Sequence, residues 1–462
     1  MKIKHIVLGM SAMLGLMACE SADELVPTTG NEVTGIRIML PDGTNTDFAV
    51  HPDENNRIML EVDGSIRTDL KKIRMSVSVP NNAVVESAVP LGEYMDFSKP
   101  VDFQVVAPNG DKKAYSVTLK VVPTAIAIQE VWRKTGTEMN FTAHNNGAIG
   151  ISGDYVVVHN RAGFAYYHIA DGTKAGDMSW EGIDWKDLGF KMPLHMTTDD
   201  AGNIASCNAA VAVGQEVHMY WWESVTAQPK RLFNYVLENM PKAQIGRKIY
   251  VKGDLKKHAF VYLAVSNHNA ILRWEVKNGA VVSETPEKIE FHVDYKMGVQ
   301  AKVVPIEFGE HSHYFINRFN NGKPEVAITY MDGKTNKPIY QSESHIENVF
   351  HQWLGGGHAF DYADMNGARY IFLIEQNAFN WMREVFAVRA MMKNPSGIKD
   401  ITSLIHTRKW NGWLEFPMDK ALGNNGNVTG EVKVRVAPDG QSAHVAFLCT
   451  NGGVMLWKVT LQ

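Results

Sequence analysis

The chain repeats one phrase six times: an apolar strand, an asparagine, a short loop and a second apolar strand. The phrase runs VVVHNRAGFAYYHI around Asn160, IASCNAAVAVGQEVHMYWW around Asn208 and VYLAVSNHNAILRWEV around Asn267. It continues as YFINRFNNGKPEVAITYM around Asn317, IFLIEQNAFNWMREVFAV around Asn377 and VAFLCTNGGVMLWKV around Asn451. Apolar and β-branched runs bounded by Gly, Asn and Asp are strand signals. The asparagines follow one another at intervals of 48, 59, 50, 60 and 74 residues. That is the period of β-propeller blades joined by loops of unequal length. A further strand and a tight polar turn precede each phrase. The turns are Gly153-Asp154, Asp200-Ala201-Gly202, Gly253-Asp254, Gly309-Glu310, Asn366-Gly367 and Asp439-Gly440.

The sixth phrase, ending at Gln462, has room for only three strands. AIAIQEVWR, Ala125–Arg133, lies ahead of the first phrase and has no blade of its own. Placed on the outer edge of the sixth blade, it removes an open strand edge, as closed β architectures require. Residues 124–462 are therefore expected to form a six-bladed β-propeller closed by strand 125–133. Upstream, residues 33–123 hold about seven short strands punctuated by Pro80, Pro90, Pro100 and Pro108, the pattern of a β-sandwich. Arg74-Met75-Ser76-Val77-Ser78-Val79 alternates as a half-buried strand should. The expected fold is all-β, a sandwich followed by a propeller.

Residues 1–18 read as a signal peptide, with Lys2 and Lys4 at the positive end and Ile6–Ala18 as the apolar run. Leu16-Met17-Ala18-Cys19 resembles a bacterial lipobox, which implies cleavage before Cys19 and lipidation of its thiol. Residues 19–32 are then a tether, whose Glu20-Ser21-Ala22-Asp23-Glu24 resembles the surface-export signal of gut-bacterial lipoproteins. Asp96–Val121, DFSKPVDFQVVAPNGDKKAYSVTLKV, is similar to the immunoglobulin-like N-terminal domain of surface lipoproteins from polysaccharide-utilisation systems. That likeness implies an immunoglobulin-like spacer over 33–123. WRKTG followed by ISGDYVVVHN resembles an uncharacterised propeller family of gut-bacterial lipoproteins found beside starch-utilisation-like glycan-binding proteins. The implied location is the outer membrane, lipid-anchored, at the cell surface. No later run reaches the ~18 apolar residues of a membrane helix.

A net charge of -4 gives no basic footprint, so nucleic acid is not an expected partner. Cys207 and Cys449 fall two blades apart and are expected to be buried free thiols. Loop length concentrates on the propeller face that carries the asparagine turns, and long loops on a rigid scaffold are where function lives. The candidate ligand contacts are the aromatic, amide, imidazole and guanidinium groups there: His144, Asn145, Asn160, Arg161, Trp180, Trp185, His195, Trp353, His358, Asn377, Trp381, Trp410 and Trp413. Indoles stack on the apolar face of a sugar ring, while Asn, Arg and His bond its hydroxyls. Against this, a Trp also plugs gaps between blades and an Asn also suits a tight turn. Trp221 and Trp222, adjacent in a strand, point to opposite faces.

No catalytic motif, metal set or cofactor site is read. His311-Ser312-His313 offers two imidazoles without a third ligand. The expected function is non-catalytic glycan binding at the surface, with a polysaccharide or oligosaccharide and outer-membrane transporter components as partners. Two alternatives stand beside it. One is a hydrolase or lyase drawing a carboxylate pair from Asp184, Asp187, Asp361, Asp364 and Glu375. The other is a protein-interaction scaffold.

Overall fold

The period-two alternation of the strands meets two different surroundings in this chain, and the computed structural model separates them. It describes residues 30–40, 45–64, 69–80, 82–123, 126–142, 147–160, 163–183, 195–291, 296–317, 326–343, 357–365, 368–376, 383–392, 398–405 and 430–461. Every regular element among them is a β-strand. The chain divides into two units, Met1–Val122 and Pro123–Gln462.

In the first unit, two four-stranded antiparallel sheets share one core. One has the order Asn45–Ala49, Gly35–Met39, Ile73–Ser78, Tyr94–Met95. The other has Arg57–Gly64, Lys112–Pro123, Val101–Val106, Val84–Ser87. Alternation is clean because one face is wet. Phe103 and Val105 of VDFQVV are buried while Asp102 and Gln104 are exposed. Ile36, Ile38, Met75, Phe103, Tyr115 and Val117 meet in the interior, where the Phe103 and Tyr115 rings stack at 5.6 Å.

The second unit is propeller-like, with six sheets whose strands follow one another as antiparallel meanders. The first strands of the sheets are Ile149–Ser152, His195–Thr198, Ile249–Asp254, Val303–Pro305, Gly357–Met365 and Gly430–Val436. They are neighbours in that order, and the last lies beside the first. The sixth sheet, Gly430–Val436, Ser442–Cys449 and Gly453–Leu461, takes Ile126–Thr135 as its fourth strand. The antiparallel register runs from Leu461 opposite Ile126 to Gly453 opposite Thr135.

Here both faces of each sheet are covered, so strands read as continuous apolar runs rather than alternating ones. In HAFVYLAV, Val261 and Leu263 pack toward the second sheet, while Phe260 and Tyr262 pack toward the fourth. Trp221 and Trp222 follow the same logic. They point opposite ways as adjacent strand residues must, yet both are buried, Trp221 between sheets two and three and Trp222 between sheets one and two. Cys207 and Cys449 are buried and free.

Trp132 joins the sixth sheet to the first. Its ring packs with Ile149, Val156 and Leu456, and its Nε1–H donates to the carbonyl of Ile169 at 2.9 Å. The turn it covers needs glycine: Gly172 has φ +70°, and a Cβ there would lie 2.7 Å from the indole. Trp132→Ala is expected to cost about 3–5 kcal/mol. Trp132→Phe, losing only the hydrogen bond and part of the ring, is expected to cost about 1–2 kcal/mol. Urea unfolding monitored by circular dichroism measures both, and equal costs would show that the indole's packing is immaterial.

Candidate functional site

The first strands of the six sheets line an axis, and their two ends carry different chemistry. At the ends where the strands begin, one carboxylate gathers four sheets. Glu431, on Gly430–Val436, accepts from Lys302 Nζ at 2.7 Å through Oε1 and from Lys248 Nζ at 2.8 Å through Oε2. Oε2 also meets His195 Nε2 at 2.5 Å. His195 Nδ1 accepts from the Ile249 N–H at 3.2 Å, which fixes Nε2 as the protonated nitrogen and a donor to Glu431. Lys302 further donates to the carbonyls of Phe360 and Val432, and Lys248 to that of Gly430. All four side chains are buried.

Burial alone would raise the Glu431 carboxyl, but Lys248 and Lys302 outweigh it and hold it well below the usual range. Burial likewise pushes His195 down to about 4, against the pull of Glu431, so the ring is neutral at pH 7. Burial lowers Lys248 too. A neutral imidazole, two ammonium groups and one carboxylate thus leave a positive excess at this depth of the axis.

Toward the opposite ends, where the tight turns lie, the axis opens into a cavity of about 280 Å³. Thr198, Asp199 and Asp200 line it from the second sheet, Tyr250 and Lys252 from the third, Tyr362 and Asp364 from the fifth, and Lys433 and Arg435 from the sixth. Alternation puts these groups there. In KIYVK, Lys248, Tyr250 and Lys252 share one face, and in EVKVRV, Glu431, Lys433 and Arg435 do.

Most groups in the cavity are held. Lys252 donates to the Tyr362 hydroxyl at 3.1 Å and lies 3.3 Å from Asp200 Oδ2. The Tyr362 hydroxyl donates to the Ile306 carbonyl at 2.5 Å. Asp199 accepts from Ala201 N, Asn203 N, Asn203 Nδ2 and Leu255 N. Asp364 receives Arg369 in a two-pronged pair at 2.6 and 2.7 Å. Behind the wall, Asp361 accepts from the Tyr250 hydroxyl, Tyr362 N and Val434 N. Burial raises Asp199 and raises Tyr250, the latter further because of Asp361.

His144, Asn145, Arg161, Trp185, Trp353, Asn377, Trp381, Trp410, Trp413 and Cys19 lie outside the described residues. His358 lies on Gly357–Met365. Asn160 donates from Nδ2 to the Asn140 carbonyl at 2.6 Å, tying its turn to the preceding connector. Trp180 is half-buried, its ring 4.9 Å from that of Phe164 and lying over Gly163. His195 belongs to the buried axial knot. Of the other described repeat asparagines, Asn267 and Asn451 take φ of 62°, Asn208 brackets Glu216 and His218, and Asn317 accepts from the Lys302 N–H. Among the described residues no group of three His, Cys, Asp or Glu side chains could hold a metal ion. The signal missed in the sequence was the alternation KIYVK and EVKVRV. Charged residues on every second position read as a solvent face, whereas on an innermost strand they face an axis.

Consecutive meander sheets with a polar cavity on their axis define an all-β, propeller-like protein. Residues 135–446 match the family model described as Domain of unknown function (DUF8500), and the chain belongs to that family. Among solved structures, a DUF4623 family protein from Bacteroides eggerthii is similar in fold. It has a TM-score of 0.53 and 15% identity, over 94% of this chain and 99% of that one. The Kuenenia stuttgartiensis hydrazine synthase overlaps with a TM-score of 0.37 at 14% identity, over 67% of this chain and 78% of that one. An Aleuria aurantia lectin in complex with Fucalpha1-6GlcNAc overlaps with a TM-score of 0.36 at 12% identity, over 68% and 92%. Those two overlaps are too loose to bear on chemistry. No curated protein matches the chain.

Two stability effects follow from the axis. Glu431→Gln leaves Lys248 and Lys302 buried without a counter-charge and is expected to cost about 3–5 kcal/mol in urea unfolding at pH 7. His159, also buried, is pushed down to about 3 by burial and by His195. Its two nitrogens have no partner among the described residues. Below about pH 6.5 the unfolded chain protonates both rings and the folded chain does not, so stability falls with pH. The slope is about 1.4 kcal/mol per pH unit for each ring, until each folded value is reached. Glu431 adds a further loss only below about pH 4.5, as pH falls through its depressed folded value. Unfolding free energies at pH 7 and 5 test this. His159→Phe should lower the pH 5–6.5 slope by about 1.4 kcal/mol per pH unit, and an unchanged slope would show that the ring titrates normally.

Proposed function

We propose that this chain is a non-catalytic, surface-anchored glycan-binding lipoprotein whose axial cavity takes a sugar. On this reading the second unit is a six-bladed propeller closed by Ile126–Thr135. The first unit is an immunoglobulin-like spacer, and Cys19 carries the lipid that holds the protein to the outer membrane. The observation that supports recognition is the cavity itself. Its walls set tyrosine rings beside fixed donors and acceptors, the mixture that a sugar ring with its hydroxyl rim requires. At about 280 Å³ it lies at the small end of the range for ligand clefts, which suits one ring entering end-on.

Binding is favoured over hydrolysis by the way the carboxylates are used. A glycosidase needs one carboxyl free to give a proton and another free to attack or activate water. Asp199 and Asp364 are instead committed to fixed donors and to Arg369, and Asp361 is walled off by three donors.

Calorimetric titration of the soluble mature chain with neutral and acidic monosaccharides and oligosaccharides tests the reading. Heat of binding is expected with at least one of them, without new reducing ends or unsaturated products on long incubation. Lys252→Met is expected to weaken that binding at least tenfold. A flat titration across the panel overturns the proposal, and product formation replaces it with the catalytic alternative.

A further inference from the structure

We propose that the axial cavity selects a hexose ring bearing a single carboxylate, received by Lys433 and Arg435. The inference rests on the sugar-binding reading above and adds the charge of the ligand.

The axis carries five cations, Lys248, Lys252, Lys302, Lys433 and Arg435, and four carboxylates, Glu431, Asp361, Asp199 and Asp200. Asp364 and Arg369 neutralise each other. One positive charge is left over along the axis as a whole, and Lys433 is a buried cation that no carboxylate meets at hydrogen-bond distance. Lys248 and Lys302 both reach Glu431 at hydrogen-bond distance, and Lys252 lies close to Asp200. Lys433 has no such partner: its side chain is 5% exposed and its Nζ lies 3.8 Å from Asp361 Oδ2, beyond hydrogen-bond reach. Asp361 already spends both oxygens on Tyr250, Tyr362 N and Val434 N. What Lys433 does touch is the face of the Tyr250 ring, 4.6 Å from its centroid.

A nine-tenths-buried ammonium lining a cavity without a bonded acceptor is costly unless something fills that role. Burial lowers the Lys433 ammonium, the Asp361 and Asp200 charges pull it back up, and the Lys302 and Lys252 charges lower it. Two residues on, with its side chain on the same strand face, Arg435 spends one Nη1–H on the Gly153 carbonyl. No carboxylate among the described residues pairs with it. A guanidinium offers its remaining donors in a planar fork that matches a carboxylate better than a spherical or tetrahedral anion. A carboxylate seated between Lys433 and Arg435 gives both a bonded acceptor, and its ring then lies along Tyr250 and Tyr362. The shared chemistry is a monoanionic oxyacid, and the ring distinguishes a sugar acid from a free anion.

The test uses the soluble mature chain with glucuronate and galacturonate, their neutral counterparts glucose and galactose, and inorganic phosphate. The sugar acids are expected to bind at least tenfold more tightly than the neutral sugars, with an affinity that falls as salt is raised. Lys433→Met should erase that preference while leaving weak binding of the neutral ring. Should Lys433→Met fail to fold, Arg435→Met at the more accessible position reads the same loss of preference. Equal affinity for acid and neutral sugars overturns this inference and leaves the sugar-binding reading standing. Phosphate binding as tightly as glucuronate marks a bare anion site and also overturns it. No binding by any sugar removes both.

Discussion

A single buried carboxylate is where the sheets of the second unit meet. Six first strands converging on an axis leave a space that no one sheet can fill with its own short side chains. Lysine has the reach to cross it. Lys248 and Lys302 come in from the third and fourth sheets, His195 from the second, and the Phe360 carbonyl marks the fifth. Glu431 of the sixth sheet terminates these contacts. Such a knot adds little net stability compared with a well-packed apolar plug, because desolvating the ions offsets most of their attraction. Its stake lies in alternatives: any slip of one first strand leaves a lysine buried without its counter-charge. The axial charges fix how the sheets are set against one another, and the apolar clusters between sheets supply the cohesion.

The same arrangement explains why the cavity has its character. With Glu431 consumed at one depth of the axis, the cations nearer the turns must find partners locally. Asp200 serves Lys252, and Asp361 serves the tyrosines and the backbone before it serves Lys433. The distance of Lys433 from its nearest carboxylate is thus a consequence of how the strands are locked. The knot and the cavity therefore share one strand, Gly430–Val436, which supplies Glu431 to the first and Lys433 and Arg435 to the second.

The architecture was legible because it repeats. The asparagine phrases and tight turns recur six times, and AIAIQEVWR was a strand without a home until Gly453–Leu461 took it. The site was not legible, for a specific reason. Residues such as Lys252, Lys433 and Arg435 alternate with valines, and this is the signature of a strand with one wet face. Nothing within a strand distinguishes a wet face from an axis; that depends on which strand of its sheet it is. The aromatic residues misled in the converse way. Trp221 and Trp222 gave a strand with two apolar faces, and in a molecule whose sheets are covered on both sides each face is core. Asn160 holds its turn through the Asn140 carbonyl, and Trp180 lies over Gly163.

The pairing of Ile126–Thr135 with Gly453–Leu461 sets a timetable for the molecule. More than 300 residues separate the two partners, among the longest loops the chain can close. During synthesis the earlier strand emerges with its hydrogen-bonding edge bare and stays so until the later one follows. Contacts this distant in sequence are slow to form and leave sticky edges exposed meanwhile.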